Sequence, residues 1–185
     1  VTELATGKQI SRSQIGNNVM CFSNAPLSAS EAFSSPVSPP PFMVGMAEVE
    51  IDKETGVLEL IDYVAVVDCG TVINPNLARV QVEGGIAQGI GMALYEDVVY
   101  NEKGKNFSNS LMQYKIPTRL DVGKIRVEFE SSYEPTGPFG AKSIGEIVIN
   151  TPSPAISNAI QNATGVIIRE LPMTAEKIYR GISGR

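Results

Sequence analysis

The stretch FMVGMAEVEIDKETGVLELIDYVAVV, residues 42–67, decides the fold of this chain. Apolar and β-branched residues dominate both ends of the stretch, and the polar segment between them, residues 52–56, ends in a glycine. This pattern predicts one strand over residues 42–51 and a second over residues 57–67, joined by a turn. We therefore expect a β-hairpin.

A glycine-rich helix is predicted shortly after the hairpin. Asn74 and Pro75 introduce it, since proline suits the first helical turn, and it extends over about residues 76–98. A glycine inside a helix costs roughly 1 kcal/mol relative to alanine, unless a close approach of the backbone to another element or to a ligand offsets that cost. The glycines concerned are Gly84, Gly85, Gly89 and Gly91.

Two glutamines of this helix share one face with the small residues. Gln81 and Gln88 are seven residues apart, and their amides offer hydrogen-bond donors and acceptors. Either the glycines and glutamines approach a ligand, or the helix packs tightly against a sheet and the glutamines are solvated. The sequence leaves both interpretations open.

The rest of the chain mixes strands and helices without strict βαβ alternation. The patterns predict a strand at 124–132, a helix at 146–164 ended by Gly165, a short strand at 166–171, and a last helix at 174–182 capped by Thr174. Residues 23–41, rich in Ser, Pro and Ala, predict an arm or linker. The expected fold class is α+β, with a mixed β-sheet and packed helices.

Composition narrows the classes of partner. The chain has 185 residues, 43% of them hydrophobic, and a formal net charge of -5, which favours one folded unit and disfavours nucleic acid as a partner. No apolar run reaches the length of a membrane span, and the amino end lacks the pattern of a signal peptide. We expect a cytoplasmic protein that does not bind membranes.

Missing residue types exclude several chemistries. The chain contains no histidine, which removes Ser–His and Cys–His nucleophile pairs and histidine metal sites. Cys21 and Cys69 are far apart and too few to hold an iron–sulfur cluster, so we expect no metal ligands in this chain. Residues 85–91 lack the final glycine of a dinucleotide fingerprint, and residues 137–143 lack the Gly-Lys pair of a P-loop.

The heptapeptide GAKSIGE, residues 140–146, contains a candidate general base. Glycines bracket the turn before Glu146, apolar residues follow it, and Lys142 is the nearest opposite charge in sequence. We expect apolar surroundings that desolvate this carboxylate, which raises the pKa of such a group and prepares it to accept a proton. The alternative is that Glu146 is a glutamate in the first turn of a helix, favoured by the helix dipole.

Three motifs in order resemble one enzyme family. They are DCG with INP at residues 68–75, QVEGGIAQGIG at residues 81–91, and GAKSIGE at residues 140–146. Together they resemble the carboxyl-terminal part of the molybdenum-binding subunit of the xanthine dehydrogenase, aldehyde oxidase and carbon monoxide dehydrogenase family, from about residue 39 to about residue 182. The resemblance implies a domain of the molybdopterin-binding type at residues 39–185, preceded by an extended arm at residues 1–38.

The resemblance also implies roles for individual residues. Glu146 matches the catalytic base beside the molybdenum, and Gln81 matches a contact to the pterin, with Gln88 a weaker candidate. The loop backbone at Lys142, Ser143, Ile144 and Gly145 is expected to contact the same cofactor. The implied reaction is hydroxylation of an electron-poor carbon of a purine, an aldehyde or an N-heterocycle with oxygen from water, and the implied cofactor is molybdenum–molybdopterin in its cytosine dinucleotide form.

Members of this family use a much longer subunit together with iron–sulfur and flavin modules. The resemblance therefore implies a split subunit or a fragment that acts on its small-molecule substrate only with partners, namely a companion molybdenum-binding subunit and subunits that carry iron–sulfur clusters and FAD. A second hypothesis is a non-catalytic assembly or interaction module that retains the fold. The presence of Glu146 together with the glycines that bracket the turn before it favours the enzyme.

Overall fold

The computed structural model describes residues 2, 5–22, 28, 30–32 and 34–184. The chain divides into two compact units, Val1–Ser35 and Pro36–Arg185. None of the helices in the described part of the chain is long and apolar enough to cross a membrane.

The first unit contains helix α1, Arg12–Phe22, within the segment that the sequence analysis assigns to an extended arm. The expectation of extended backbone is wrong for this span. Ser11 and Gln14 form a capping box, in which Ser11 Oγ accepts from the Gln14 N–H at 3.1 Å and Gln14 Oε1 accepts from the Ser11 N–H at 2.9 Å. The predicted linker at residues 23–41 lies partly outside the described residues, and the domain boundary at residue 38 stays a prediction.

The second unit contains the predicted hairpin. Strands β1, Phe42–Ile51, and β2, Leu58–Asp68, pair antiparallel, and their register shifts by one residue between Glu48 and Val49. Gly56 closes the turn at a φ of +75°, where a β-carbon would strike the backbone at Ala175. The prediction of the hairpin is confirmed.

A third strand makes the sheet mixed. Strand β3, Lys124–Phe129, lies parallel to β2 and gives the order β1-β2-β3. The connection between the two parallel strands contains helix α2, Pro75–Leu94. The expected α+β class with a mixed sheet is confirmed, although β3 ends three residues before the predicted Ser132.

Helix α2 begins as predicted and ends earlier. Asn74 caps it, with Oδ1 accepting from the Leu77 N–H at 3.1 Å. The Gly91 carbonyl accepts from the N–H groups of both Tyr95 and Glu96, at 2.9 and 2.8 Å. These two hydrogen bonds end the helix at Leu94, four residues before the predicted end at about residue 98.

The carboxyl-terminal helices are split differently from the prediction. Where one helix is expected over residues 146–164, the chain forms α3, Ile147–Asn150, and α4, Pro152–Thr164. Pro152 has no N–H to continue α3 and suits the first turn of a new helix. Gly165 ends α4 at a φ of +77°, as predicted.

The predicted strand at residues 166–171 is wrong, because this segment pairs with none of the strands in the described part of the chain. It lies between α4 and the last helix α5, Ala175–Ser183: the Ile168 carbonyl accepts from Ser157 Oγ at 3.5 Å, and Val166 fills the space beside Gly181. Thr174 caps α5, as predicted.

The core explains two of the helical glycines. A β-carbon on Gly85 would strike the Val148 side chain, and one on Gly89 would lie 2.6 Å from Pro152 Cγ. Helix α2 therefore packs closely against α3 and the start of α4, not against the sheet alone. Gly84 differs, since a β-carbon there would meet nothing within 4 Å. The fully buried core side chains are Tyr63, Ala65, Val67, Val82, Ile86, Ile90, Ala93, Val127, Ile156, Ile160 and Ile178.

This difference between the glycines predicts opposite effects on stability. Gly89→Ala should lower the free energy of unfolding by about 1 to 3 kcal/mol, because the methyl group overpacks against Pro152. Gly84→Ala should raise it by up to about 1 kcal/mol, because alanine is the better helix former and meets no obstacle. Urea unfolding of the two variants measures both values, and equal effects would contradict the packing described here.

Candidate functional site

The end of β2 and the loop before Glu146 are joined by backbone contacts. The Lys142 N–H donates to the Cys69 carbonyl at 2.7 Å, and the Thr71 N–H donates to the Gly140 carbonyl at 2.8 Å. Gly70 lies between these bonds at a φ of +68°, where a β-carbon would strike the Gly140 carbonyl. Only glycine fits this junction, which gives the DCG motif a structural reason.

A buried ion pair reinforces the junction. Lys142 Nζ lies 2.5 Å from Asp68 Oδ2, and the Lys142 side chain is only 7% exposed. Hydrogen bonds from Lys142 and Ser132 lower the pKa of Asp68 to about 2. Lys142 therefore neutralises Asp68 and is not a counter-charge for Glu146, contrary to what their closeness in sequence indicates.

A groove separates α2 from the start of α3. Its cavity volume is about 570 Å³. Gln81 crosses the groove, with Nε2 donating to the Gly145 carbonyl at 3.4 Å. The residues lining the groove are Leu77, Val80, Gln81, Gly84, Gly85, Gln88, Gly145, Glu146, Val148 and Ile149.

A second cavity of about 380 Å³ continues from this groove, since the two share Leu77, Gln81 and Gly145. Lys142 and Ile144 are among its lining residues. The fold thus brings together all of the predicted site residues except one: Gln81, Gln88, Lys142, Ile144, Gly145 and Glu146 line one cavity or the other. Ser143 is exposed and lines neither cavity.

Glu146 lies at the rim of the groove with an exposed side chain. The expectation of apolar surroundings that desolvate the carboxylate is wrong within this chain, because Glu146 is exposed at the rim. The alternative of a glutamate in the first turn of a helix, favoured by the helix dipole, gains no support either. Glu146 precedes a helix of only four residues, and its side chain makes no capping hydrogen bond.

The loop backbone offers a limited set of donors. Both the N–H and the ammonium of Lys142 are engaged inside the chain, so this residue offers a ligand only its carbonyl oxygen. Within the described residues, no hydrogen bond to the chain engages the N–H of Ser143 or Ile144. Phe139, at the start of the loop, is 84% exposed and adopts a φ of +56°, a left-handed conformation that is uncommon for a bulky residue.

The described residues contain no group of three or more His, Cys, Asp or Glu side chains that could hold a metal ion. Cys69 is buried, and its burial raises the pKa of the thiol. Sequence reasoning missed Asp68 and Ser132 as parts of the site, because nothing in the spacing of Asp68, Ser132 and Lys142 indicates that they meet.

The second unit is a mixed-sheet α+β domain with a groove of mixed polar and apolar lining beside a glycine-rich helix. The molybdopterin cofactor-binding domain family matches residues 2–123, and the chain belongs to this family. This confirms the resemblance seen in the motifs. The match ends before the loop that carries Glu146, so the roles of the individual site residues stay predictions.

Relatives of known description agree with this assignment. The chain is 37% identical over 143 residues to the probable hypoxanthine oxidase XdhD of Escherichia coli, covering 77% of this chain and 15% of that protein. It is 35% identical over 154 residues to the putative xanthine dehydrogenase molybdenum-binding subunit XdhA of Escherichia coli, covering 83% of this chain and 20% of that subunit. The chain thus spans between 15% and 20% of the length of these two relatives.

Solved structures share the fold. Quinoline 2-oxidoreductase from Pseudomonas putida 86 is similar with a TM-score of 0.71 and 40% identity, covering 75% of this chain and 18% of that chain. The aldehyde oxidoreductase from Desulfovibrio gigas is similar with a TM-score of 0.72 and 35% identity, covering 77% of this chain and 15% of that chain. These relatives are described as an oxidase, a molybdenum-binding subunit and two oxidoreductases.

The Asp68 pKa predicts an acid-dependent loss of stability. Because this pKa is lowered from 3.8 to about 2, the ionised carboxylate stabilises the fold above pH 3.8, and this contribution is lost as the pH falls towards 2. Asp68→Asn removes the contribution at every pH. Unfolding measured between pH 5 and pH 2 should therefore show a difference between the parent and Asp68→Asn that shrinks as the pH falls, whereas a constant difference would contradict the pairing.

Proposed function

We propose that this chain forms one wall of the cofactor site of a molybdenum hydroxylase and contributes Glu146 as its general base. The observation that carries the proposal is the groove beside α2, where Gln81 and Gln88 face the loop that ends in Gly145 and Glu146. Membership in the molybdopterin cofactor-binding domain family supports a pterin as the occupant.

The residues of the groove fit such a ligand. Gly84 lines it and has open space where a β-carbon would lie, so helix packing does not account for this glycine as it accounts for Gly85. The missing side chain widens the groove between the two glutamine amides. Amides and free backbone N–H groups are suitable partners for the carbonyl and ring nitrogen atoms of a pterin.

In this proposal, different groups of the chain bind the cofactor and accept the proton. The Gln81 and Gln88 amides and the Ile144 N–H would bind and orient the cofactor in the groove and the adjoining cavity. The Ser143 N–H lies outside both cavities and would contact only a part of the cofactor that extends beyond them. The cofactor, when bound, supplies the two-electron oxidation of the substrate. The Glu146 carboxylate accepts the proton from the oxygen nucleophile derived from water, as a positioned general base does.

The exposure of Glu146 supports a site that is shared with another chain segment. The chain spans between 15% and 20% of its two relatives XdhD and XdhA, so the opposite wall of the groove belongs to a companion molybdenum-binding subunit or to further length of the same protein. Covering the groove removes water from the carboxylate, and a carboxylate removed from water is a stronger base.

The relatives also support a class of substrate for this chain. Their names include a hypoxanthine oxidase, an aldehyde oxidoreductase and a quinoline oxidoreductase, which supports a purine, an aldehyde or an N-heterocycle as the substrate. We propose the cytosine dinucleotide form of the cofactor, with iron–sulfur clusters and FAD on partner subunits that carry the electrons away.

Substitution of the base tests the chemistry. In the assembled complex, Glu146→Gln keeps the size of the side chain and removes its ability to accept a proton, so turnover should fall by about 10²- to 10⁴-fold while the molybdenum content is unchanged. Glu54→Gln, in the exposed turn between β1 and β2, is the matched control and should retain full turnover. Normal turnover of Glu146→Gln at full molybdenum content would leave the chain as a non-catalytic assembly module.

Substitution of the amide tests binding separately. Gln81→Ala should lower the molybdenum content of the complex, because an unpaired buried polar group costs about 1 to 3 kcal/mol, while turnover per bound molybdenum stays close to that of the parent. Gln161→Ala, an exposed glutamine of α4, is the matched control. Metal analysis and turnover on the same preparations decide the result, and full molybdenum content in Gln81→Ala would remove this glutamine from the cofactor site.

A further inference from the structure

The loop that carries Glu146 is attached to the end of β2 by backbone hydrogen bonds and, in addition, by one buried side chain. Lys142 lies four residues before Glu146, and its ammonium is 2.5 Å from Asp68 Oδ2. The side chain is 7% exposed, so the ammonium has little water to replace the carboxylate if the pair is broken. A buried charge that loses its partner is strongly destabilising, so conformations of the loop that keep the Lys142–Asp68 pair are favoured.

The carboxylate that receives Lys142 is itself held in one orientation. Asp68 Oδ1 accepts from the Gly70 N–H at 3.0 Å and from Ser132 Oγ at 2.5 Å. The Lys142 ammonium also lies 5.2 Å from the centre of the Phe42 ring, at the start of β1. Groups from the start of β1, the end of β2 and the segment after β3 therefore define where Lys142 must lie.

Beyond Lys142 the loop makes few hydrogen bonds, and Ile144 packs partly buried against the core. Residues 142–144 have no regular secondary structure, and the next hydrogen bond is the long and exposed one from Gln81 to the Gly145 carbonyl, at 3.4 Å. Glu146 lies four residues after Lys142, a span of at most about 14 Å when extended, so the position of Lys142 limits where the Glu146 carboxylate can lie. The carboxylate makes no capping bond that would hold it independently.

We propose that Asp68 is a positioning residue for Glu146: by pairing with Lys142 it fixes the loop so that the Glu146 carboxylate reaches the reacting atoms. The proposal rests on the proposed function, because it assigns Asp68 a task only if Glu146 is the base. A pair that only stabilises the fold would instead affect the whole second unit alike.

The chain offers a matched control for this pair. Asp62 lies six residues earlier on β2 and pairs with Arg126 of β3, with 2.6 Å between Arg126 Nη2 and Asp62 Oδ2. The Arg126 side chain is 52% exposed, and neither residue lines the groove. Asp68→Asn and Asp62→Asn therefore remove the same charge from the same strand, with and without a connection to the loop.

Hydrogen exchange on the 185-residue chain tests the loop without any cofactor. Asp68→Asn should speed the exchange of the amides at residues 143–146 by a larger factor than that of the amides of β1 and α4, which changes only with the overall stability. Asp62→Asn should leave residues 143–146 unchanged. Ser132→Ala removes one support of the Asp68 carboxylate without leaving a charge unpaired, so it should act in the same direction with a smaller effect, and it decides the test if Asp68→Asn does not fold.

Kinetics of the assembled complex test the positioning. Asp68→Asn should lower kcat by about 10- to 100-fold, the loss that a small misplacement of a catalytic group produces, with KM and molybdenum content unchanged. Equal kcat values for Asp68→Asn and Asp62→Asn, or faster exchange throughout the chain with normal turnover per molybdenum, would overturn the proposal. Normal turnover of Glu146→Gln would overturn the proposed function instead, whereas a defect in Glu146→Gln without one in Asp68→Asn would remove only the role of Asp68.

Discussion

The close approach of α2 to α3 and α4 is the constraint on which the site depends. Gly85 and Gly89 have no β-carbons, so the helix backbone comes into contact with Val148 and Pro152. A bulkier residue at either position would separate the helices and move Gln81 away from the Gly145 carbonyl. The width of the groove is therefore set by two glycines that do not themselves need to touch a ligand.

The residues that stabilise the fold and the residues with reactive or hydrogen-bonding side chains lie in different parts of the second unit. The buried parts of β2, α2 and α4 are apolar, and the buried Lys142 side chain is paired with Asp68 at the end of β2. The amides of Gln81 and Gln88 and the carboxylate of Glu146 lie at the groove, on one face of α2 and on the loop before α3. Such an arrangement leaves the carboxylate and the amides open to whatever completes the site, and it agrees with a chain that spans between 15% and 20% of its relatives XdhD and XdhA.

Local sequence patterns correctly predicted the helices and strands whose ends carry a capping or turn residue. The hairpin follows from alternating residues around a glycine-containing turn, and the start of α2 and the capping of α5 follow from Asn74 and Thr174. The two helix boundaries that were predicted wrongly have a common cause: a nearby group competes for, or cannot supply, the next helical hydrogen bond. Shared bonding to the Gly91 carbonyl ended α2 early, and Pro152 divided a helix that the apolar pattern alone would have continued.

The sequence by itself determined the fold class, the family and the residues that meet at the groove, because motif order and turn chemistry are local properties of the chain. Only the tertiary structure decided how those residues are used. It assigned Gly85 and Gly89 to helix packing and left Gly84 facing open space, and it paired Lys142 with Asp68 across 74 residues of chain. It also placed the Glu146 side chain in solvent. These outcomes depend on distances between segments remote in sequence, and no local pattern encodes such distances.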